Sequence, residues 1–366
     1  IFDRTHNYFE LSRYDVLVLL ALLMHPLAVI INMALHSFWN WSELDYPSRY
    51  LYAVPVFLVL RKFLTADLFT SLIWGICGGL IVAGCLAVFE SLETARVQSG
   101  YSNPISFGNV IAIQTVLLAC AFFGMNFNKK ALIWFLGCVT GALIVIATGT
   151  RGSLLVFFAA LLPMFLYGNW KKNISVTVVG LGVMAFGLVL LNQSERLWSA
   201  IEGFRCFVSD GSICEGGVSI RLEMYRIGVT VIRENWLIGV GAGFAQQGVD
   251  QIIELGFVEA ASGFRSFDHL HNEIISIAVE MGVLGALMFA LSYGLVGVCA
   301  FMIADRQDHS VFKSPFLTTL CLTFLGAWII AGSSQVNSGH SDIESYFAVM
   351  TAILLAFGSN LFLRNS

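Results

Sequence analysis

The chain has 366 residues, 57% of them hydrophobic and 12% charged, with a formal net charge of −4. Soluble domains carry about 25% charged residues, so the composition excludes a water-soluble globular protein, and no basic tract or motif points to nucleic acid. Apolar runs of roughly twenty residues recur, enough to cross a hydrocarbon core of about 30 Å as helices, whereas a β-barrel would show short alternating segments.

The expected fold class is an all-α polytopic integral membrane protein. In chain order, spans are predicted near 15–36, 47–61, 67–90, 104–124, 131–148, 153–168, 174–191, 283–304, 315–332 and 345–363. The chain starts at Ile1 without a methionine, so upstream sequence with one or two more spans is expected, giving a bundle of about 10–12 helices. Lys62, Lys129, Lys130, Lys171, Lys172 and Lys313 all fall in alternate short loops, which the positive-inside rule assigns to the cytoplasm. Segments 37–46, 91–103, 149–152, 192–282 and 333–344 then face outward. The organisation expected is N-terminal transmembrane helices over 1–191, a large outward loop over 192–282 and closing helices over 283–366.

The loop 192–282 alone has soluble-domain composition, and a loop of that length is usually functional or disordered. Its aromatic and aliphatic content, with Trp198, Phe204, Phe207, Tyr225, Trp236 and Phe244, argues for a folded cap. Cys77, Cys85, Cys120, Cys138, Cys299 and Cys321 lie in apolar spans and read as small buried hydrophobes. Cys206 and Cys214 lie in the outward loop, where an oxidising compartment would let them pair in a structural, non-catalytic disulfide.

"ATGTRGSLL" puts Arg151 in a very short outward loop. A lone arginine there would ordinarily snorkel to headgroups. Here the loop has no length in which to swing away, and Thr148, Gly149, Thr150, Gly152 and Ser153 leave room for a ligand to approach. Ser153 opens the next helix, whose free N–H groups attract anions. "SIRLEMYRIGVTVIRENW" places Arg221, Arg226 and Arg233 on a helix. Arg221 and Arg226 lie roughly 140° apart and cannot share one face, while Arg226 and Arg233 nearly align. Glu223 and Glu234 are available as partners, and spacing does not select among the three arginines. Gly239, Gly241 and Gly243 follow in "NWLIGVGAGF", a pattern suited to a tight turn or to close backbone approach to another segment or substrate.

"SFDHLHNEIISIAVEMGVLG" sets a polar cluster at the start of an apolar helix. Asp268 is a good N-cap, which would place His271 in the first turn, where the helix dipole disfavours positive charge. A neutral imidazole can accept a proton, and Asn272 and Glu273 are placed to orient it. Gly282 and Gly285 allow close helix packing. A structural histidine is the ordinary alternative. A metal site from Asp268, His269, His271 and Glu273 is disfavoured, because His269 and His271 are two apart and no HExxH motif is present. No metal and no cofactor are expected.

Taken together, H-N-x9-G-x-x-G (His271, Asn272, Gly282, Gly285), G-x-G-x-G-F (Gly239 to Phe244) and T-G-T-R-G-S around Arg151 resemble the signature of the O-antigen ligase and polymerase superfamily. The resemblance covers roughly residues 100–350. It implies a GT-C-like helical bundle with one large periplasmic loop in the inner membrane of a Gram-negative bacterium, its active site facing the periplasm. The full histidine motif points to a ligase, which moves O-antigen polysaccharide from undecaprenyl diphosphate to the lipid A–core oligosaccharide.

It further implies His271 in the catalytic role, Arg151 and Arg221 as diphosphate-binding arginines, and Asn272, Glu273, Gly241 and Gly243 in support. The family also has an acidic residue near its last outward loop, for which Asp342 and Glu344 in "GHSDIES" are both candidates. Family members often carry a proline before the glycine run, where this chain has Trp236 and Leu237. The chemistry suits these residue types. Fixed arginines stabilise a diphosphate leaving group without a metal, and a histidine takes the acceptor hydroxyl's proton in a direct, inverting displacement. The alternatives are an O-antigen polymerase joining lipid-linked repeats and, in a different class, a lipid-linked sugar flippase, whose polar residues would be expected at mid-membrane.

Overall fold

The computed structural model describes residues 11–93, 96–99, 103–124, 129–157, 195–211, 213, 217–257, 259, 269–304, 316–338 and 340–363. Among them the secondary structure is all helical: α1 (Arg13–Leu35), a 3-10 helix (Trp41–Leu44), α2 (Ser48–Phe63), α3 (Ala66–Ser91), α4 (Pro104–Gly124), α5 (Lys129–Thr148), α6 (Glu195–Asp210), α7 (Val218–Glu234), α8 (Ala245–Glu254), α9 (Glu273–Ala304), α10 (Phe316–Gly332) and α11 (Ser341–Leu363). A further helical segment runs from 151 to 157. Most of the expected span at 153–168, and all of that at 174–191, lie outside the described residues.

Among the described residues five helices are long and apolar enough to cross a membrane: α1, α3, α4, α9 and α11. Leu132–Thr148 in α5 and α10 are shorter apolar helices. The protein is a polytopic membrane protein. The 16 residues of α2 extend about 24 Å at 1.5 Å per residue, short of a full crossing. Helices α1, α2, α9 and α11 pack together, and α10 joins them to α3, α4 and α5.

One end of this bundle is closed by charge. Ser12 and Asp15 form a capping box at the start of α1. The Asp15 carboxylate also takes Arg61 of α2 at 2.5 Å and the hydroxyl of Ser359 in α11. Asp15 and Arg61 are 0% and 2% exposed, so three helices meet on one buried ion pair.

At the other end α7, α8 and the first turns of α9 form a cap. Its core is aliphatic: Met224, Ile227 and Val231 pack with Val249, Ile252, Leu270 and Val279. Of the loop's aromatic residues Tyr225 packs against this core, while others face outward. Trp198, Phe204 and Trp236 are 62%, 54% and 60% exposed. With Ile201 and Val208, Trp198 and Phe204 form one apolar stripe along α6, the pattern of a helix lying in a membrane interface, where indole and phenyl rings are favoured.

Cap and bundle are joined at Gly282. That residue breaks α9 with φ 62° and ψ −164°, a conformation essentially restricted to glycine. The break strips backbone groups of their helical partners, and the glycine run supplies new ones. Val240 and Gly241 N–H donate to the carbonyls of Val279 and Glu280 at 2.9 and 2.8 Å. Val283 and Leu284 N–H donate to the carbonyls of Trp236 and Leu237 at 2.8 and 3.3 Å. A Cβ on Gly239 would strike the Glu280 carbonyl, and one on Gly282 would strike the 237–238 peptide. Buried backbone groups are almost always paired; here two irregular segments pair each other. Asn32 of α1 clamps the same run, donating to the Ile238 carbonyl at 2.7 Å and accepting from Ala242 N–H at 2.9 Å.

Candidate functional site

His271 is not in the first turn of α9. The helix starts at Glu273, and the cap is Asn272, whose side-chain oxygen accepts from Ile275 N–H at 3.1 Å. Asp268 lies outside the described residues. His271 precedes the cap with φ 49°, an uncommon left-handed conformation for a residue with a Cβ. The hydroxyl of Tyr225 on α7 holds its carbonyl at 3.2 Å.

The imidazole is fixed by a residue that sequence reasoning did not single out. His271 Nδ1 lies 2.9 Å from Oε1 of Gln335, in the loop between α10 and α11. An amide oxygen only accepts, so Nδ1 carries the proton and the lone pair sits on Nε2. The Gln335 amide nitrogen donates in turn to Nε2 of His340 at 2.7 Å. Gln335 is fully buried. His269 completes the group, its ring 4.4 Å edge-on from His271 and 5.9 Å from His340. Burial, above all, holds the His271 pKa down to about 4; His269, Arg221 and His340 push the same way, and Gln335 opposes them. His340 is lowered too, chiefly by burial, with Asp342 opposing. Both imidazoles are neutral at pH 7.

Asn272 and Glu273 secure the Gln335 loop. Asn272 donates to the Ser333 carbonyl at 3.2 Å, and Glu273 accepts from Ser338 N–H at 3.1 Å. The two acidic candidates part company. Asp342 is exposed and acts electrostatically on His340, whereas Glu344 is fully buried against His25 Nδ1 at 2.8 Å.

The structure separates the arginines of α7. Arg226 holds the buried carboxylate of Glu223 with two bonds of 2.7 Å and reaches the Glu259 carbonyl at 2.7 Å. Arg233 is exposed at the far end of the helix. Arg221, half-buried, is close enough to His271 and Tyr225 to act electrostatically on both: it adds to the lowering of His271 and opposes the burial that raises Tyr225.

Arg151 sits on a turn built from hydroxyls. Thr148 and Thr150 share a bond of 2.7 Å, Thr150 donates to Ser153 at 2.8 Å, and Ser153 donates to Asn109 of α4 at 2.7 Å. All four are buried. Gly152 lies so close to Ser334 that a Cβ there would collide with its hydroxyl, which seats the Arg151 turn against the loop that carries Gln335. A second guanidinium belongs to this turn: Arg96 donates through Nε to the Thr148 carbonyl at 3.0 Å. Its position in an outward loop was the available sequence signal.

A cavity of about 530 Å³ adjoins the histidines, with His269 and His340 in its lining. It descends along α1 to Val29 and His25, ten residues or about 15 Å below Leu35. Among the described residues no group of three or more His, Cys, Asp or Glu is arranged to hold a metal. Gly241 and Gly243 both have positive φ, 111° and 79°, and Gly243 is packed against the carboxylate of Glu43. Cys206 is disulfide-bonded, while Cys214 lies outside the described residues. The six cysteines of the apolar spans are free thiols; Cys85 is exposed and Cys138 half-buried, the other four buried.

Residues 136–290 match the family profile described as O-antigen ligase. A protein of Haemophilus influenzae strain Rd, named only as uncharacterized, is 21% identical over 337 residues, covering 86% of this chain and 79% of its own. The family match takes in the Arg151 turn, the Arg221 helix, the glycine run and the histidine segment, the parts that the fold brings to one end of the bundle. Over residues 136–290 this polytopic helical membrane protein is therefore similar to the O-antigen ligase family.

Proposed function

We propose that the protein is a membrane glycosyltransferase that moves O-antigen polysaccharide from undecaprenyl diphosphate to the lipid A–core oligosaccharide. The observation that carries this reading is the His271–Gln335 bond. It leaves Nε2 as the basic nitrogen of a neutral imidazole, with Arg221 nearby. In the proposed reaction the acceptor hydroxyl gives its proton to His271 Nε2 as its oxygen attacks the donor's anomeric carbon. The glycosidic bond to diphosphate breaks with inversion. Arg151 and Arg221 receive the charge that develops on the leaving diphosphate, and the resulting imidazolium loses its proton to water.

Such chemistry uses an interface with both a bilayer and an aqueous phase, which the recessed cavity and the interfacial α6 supply. The site end is assigned to the periplasmic face of a Gram-negative inner membrane. Lys62 supports this orientation: it lies at the bundle end marked by Arg61 and Asp15, opposite His271. On this reading residues 192–282 act as the periplasmic part, between membrane helices 1–191 and 283–366, and the Cys206–Cys214 pair stiffens it.

The test is incubation of purified protein with lipid-linked polysaccharide and lipid A–core. Transfer to the core is expected, and it should be lost in His271→Ala. Elongation of the donor with the core left unused would make the protein a polymerase instead. Alternating access without transfer would make it a flippase.

A further inference from the structure

The cavity beside the histidines has a composition that suits a diphosphate poorly. Among the described residues its lining contains two carboxylates, Glu43 and Glu280, the amides of Gln246 and Gln247, the hydroxyls of Tyr46, Ser276 and Ser338, and no lysine or arginine. The guanidinium groups that suit an anion, Arg221 and Arg151, are outside it. At about 530 Å³ it falls within the range of small-molecule sites.

Both carboxyl groups face Gly243. Glu43 projects from the 3-10 helix onto Gly243, and Glu280 accepts the N–H of that same glycine. A side chain at position 243 would displace Glu43, so the third glycine of the run keeps both carboxylates at the cavity wall. Carboxylates accept hydrogen bonds, and glutamines both donate and accept. Tyr46 and Pro47 add an apolar surface for C–H faces. This is a lining for a hydroxyl-rich, uncharged ligand. His269 and His340, which flank the His271 ring, form one end of it, so a ligand there presents its hydroxyls toward the base.

We propose that this cavity is the acceptor subsite and that it takes a non-phosphorylated sugar unit of the acceptor glycan, discriminating against phosphate through Glu43. The assignment rests on the transferase reading above.

The experiment uses full-length protein in lipid nanodiscs with wild type, Glu43→Gln, Glu43→Lys and Gln247→Trp, the last filling the cavity from its exposed rim. Initial rates are measured against acceptor at fixed donor and against donor at fixed acceptor. Lipid-free core oligosaccharide, intact or enzymatically dephosphorylated, is titrated calorimetrically without donor. The expected result is an acceptor KM raised tenfold or more in Glu43→Gln and Gln247→Trp, with the donor KM within twofold of wild type. Wild type should bind the dephosphorylated glycan at least as tightly as the intact one. Glu43→Lys should reverse that preference. A raised donor KM with unchanged acceptor KM, or unchanged oligosaccharide binding in all three variants, would overturn the subsite while leaving the transferase reading intact. Glycan binding that obeys the expected pattern in a protein that performs no transfer would sink the transferase reading and the acceptor role with it, leaving a glycan-binding cavity.

Discussion

Replacing Gln335 by glutamate tests the proposed base through its proton. In the wild type His271 has a pKa of about 4, so it is neutral from pH 5 to 8 and its acid limb falls near the low value. The substitution would set a carboxylate where an amide oxygen now lies 2.9 Å from Nδ1. Two unit charges about 4 Å apart interact by roughly 4 kcal/mol at an effective dielectric of about 20, or about 3 pKa units. Burial of the new carboxylate returns part of this, leaving an expected rise of about 1–3 units. The charged form gains, the pKa goes up, and protonation removes the base at a higher pH. The acid limb of transfer should therefore move from near 4 to about 5–7.

The other groups facing His271 are His269, Arg221, Tyr225 and His340. His340→Gln removes the second imidazole on Gln335 and should leave the displacement in place. The assay is the initial rate at saturating substrates from pH 4.5 to 8.5, with thermal midpoints recorded at each pH. A limb that stays put in a folded Gln335→Glu protein would refute the role given to His271 Nε2.

Three further outcomes follow from the geometry. His271→Ala should lower transfer by about 10²–10⁴-fold, the range for a lost general base, with normal membrane insertion on a fluorescence size-exclusion trace. Arg221→Lys should cut kcat/KM severely if a bidentate phosphate clamp operates, whereas Arg226→Ala should act on stability, because it removes two charge-assisted bonds from the buried Glu223 at a cost on the order of 1–3 kcal/mol; thermal shifts and donor kinetics separate the two. Gly239→Ala should disrupt the cap more than Gly211→Ala, although both have positive φ, because only at 239 does the new Cβ meet backbone; limited proteolysis between α7 and α9 reads the difference.

The bundle was largely legible because hydropathy dictates it: the predicted spans at 104–124 and 315–332 coincide almost to the residue with α4 and α10. Glycine spacing announced a close approach, but which segment would meet the run depends on a helix break that periodicity hides, since both halves of α9 are apolar. His271 was legible as a polar residue at a helix threshold. Gln335 was not, because an amide has no titration to advertise and its partners are 64 positions away and 5 positions away. Which aromatic residues of the loop would face the cap core was not legible, because beside a bilayer an indole is equally well housed on the outside.

The four hydrogen bonds across Gly282 rivet the roof of the site to its floor. On the proposed transferase reading, a roof so fastened would favour entry from the flank and would leave the trailing part of a polymer outside. Such an enzyme would be blind to chain length, treating a short glycan and a long one alike once the reducing-end sugar is seated.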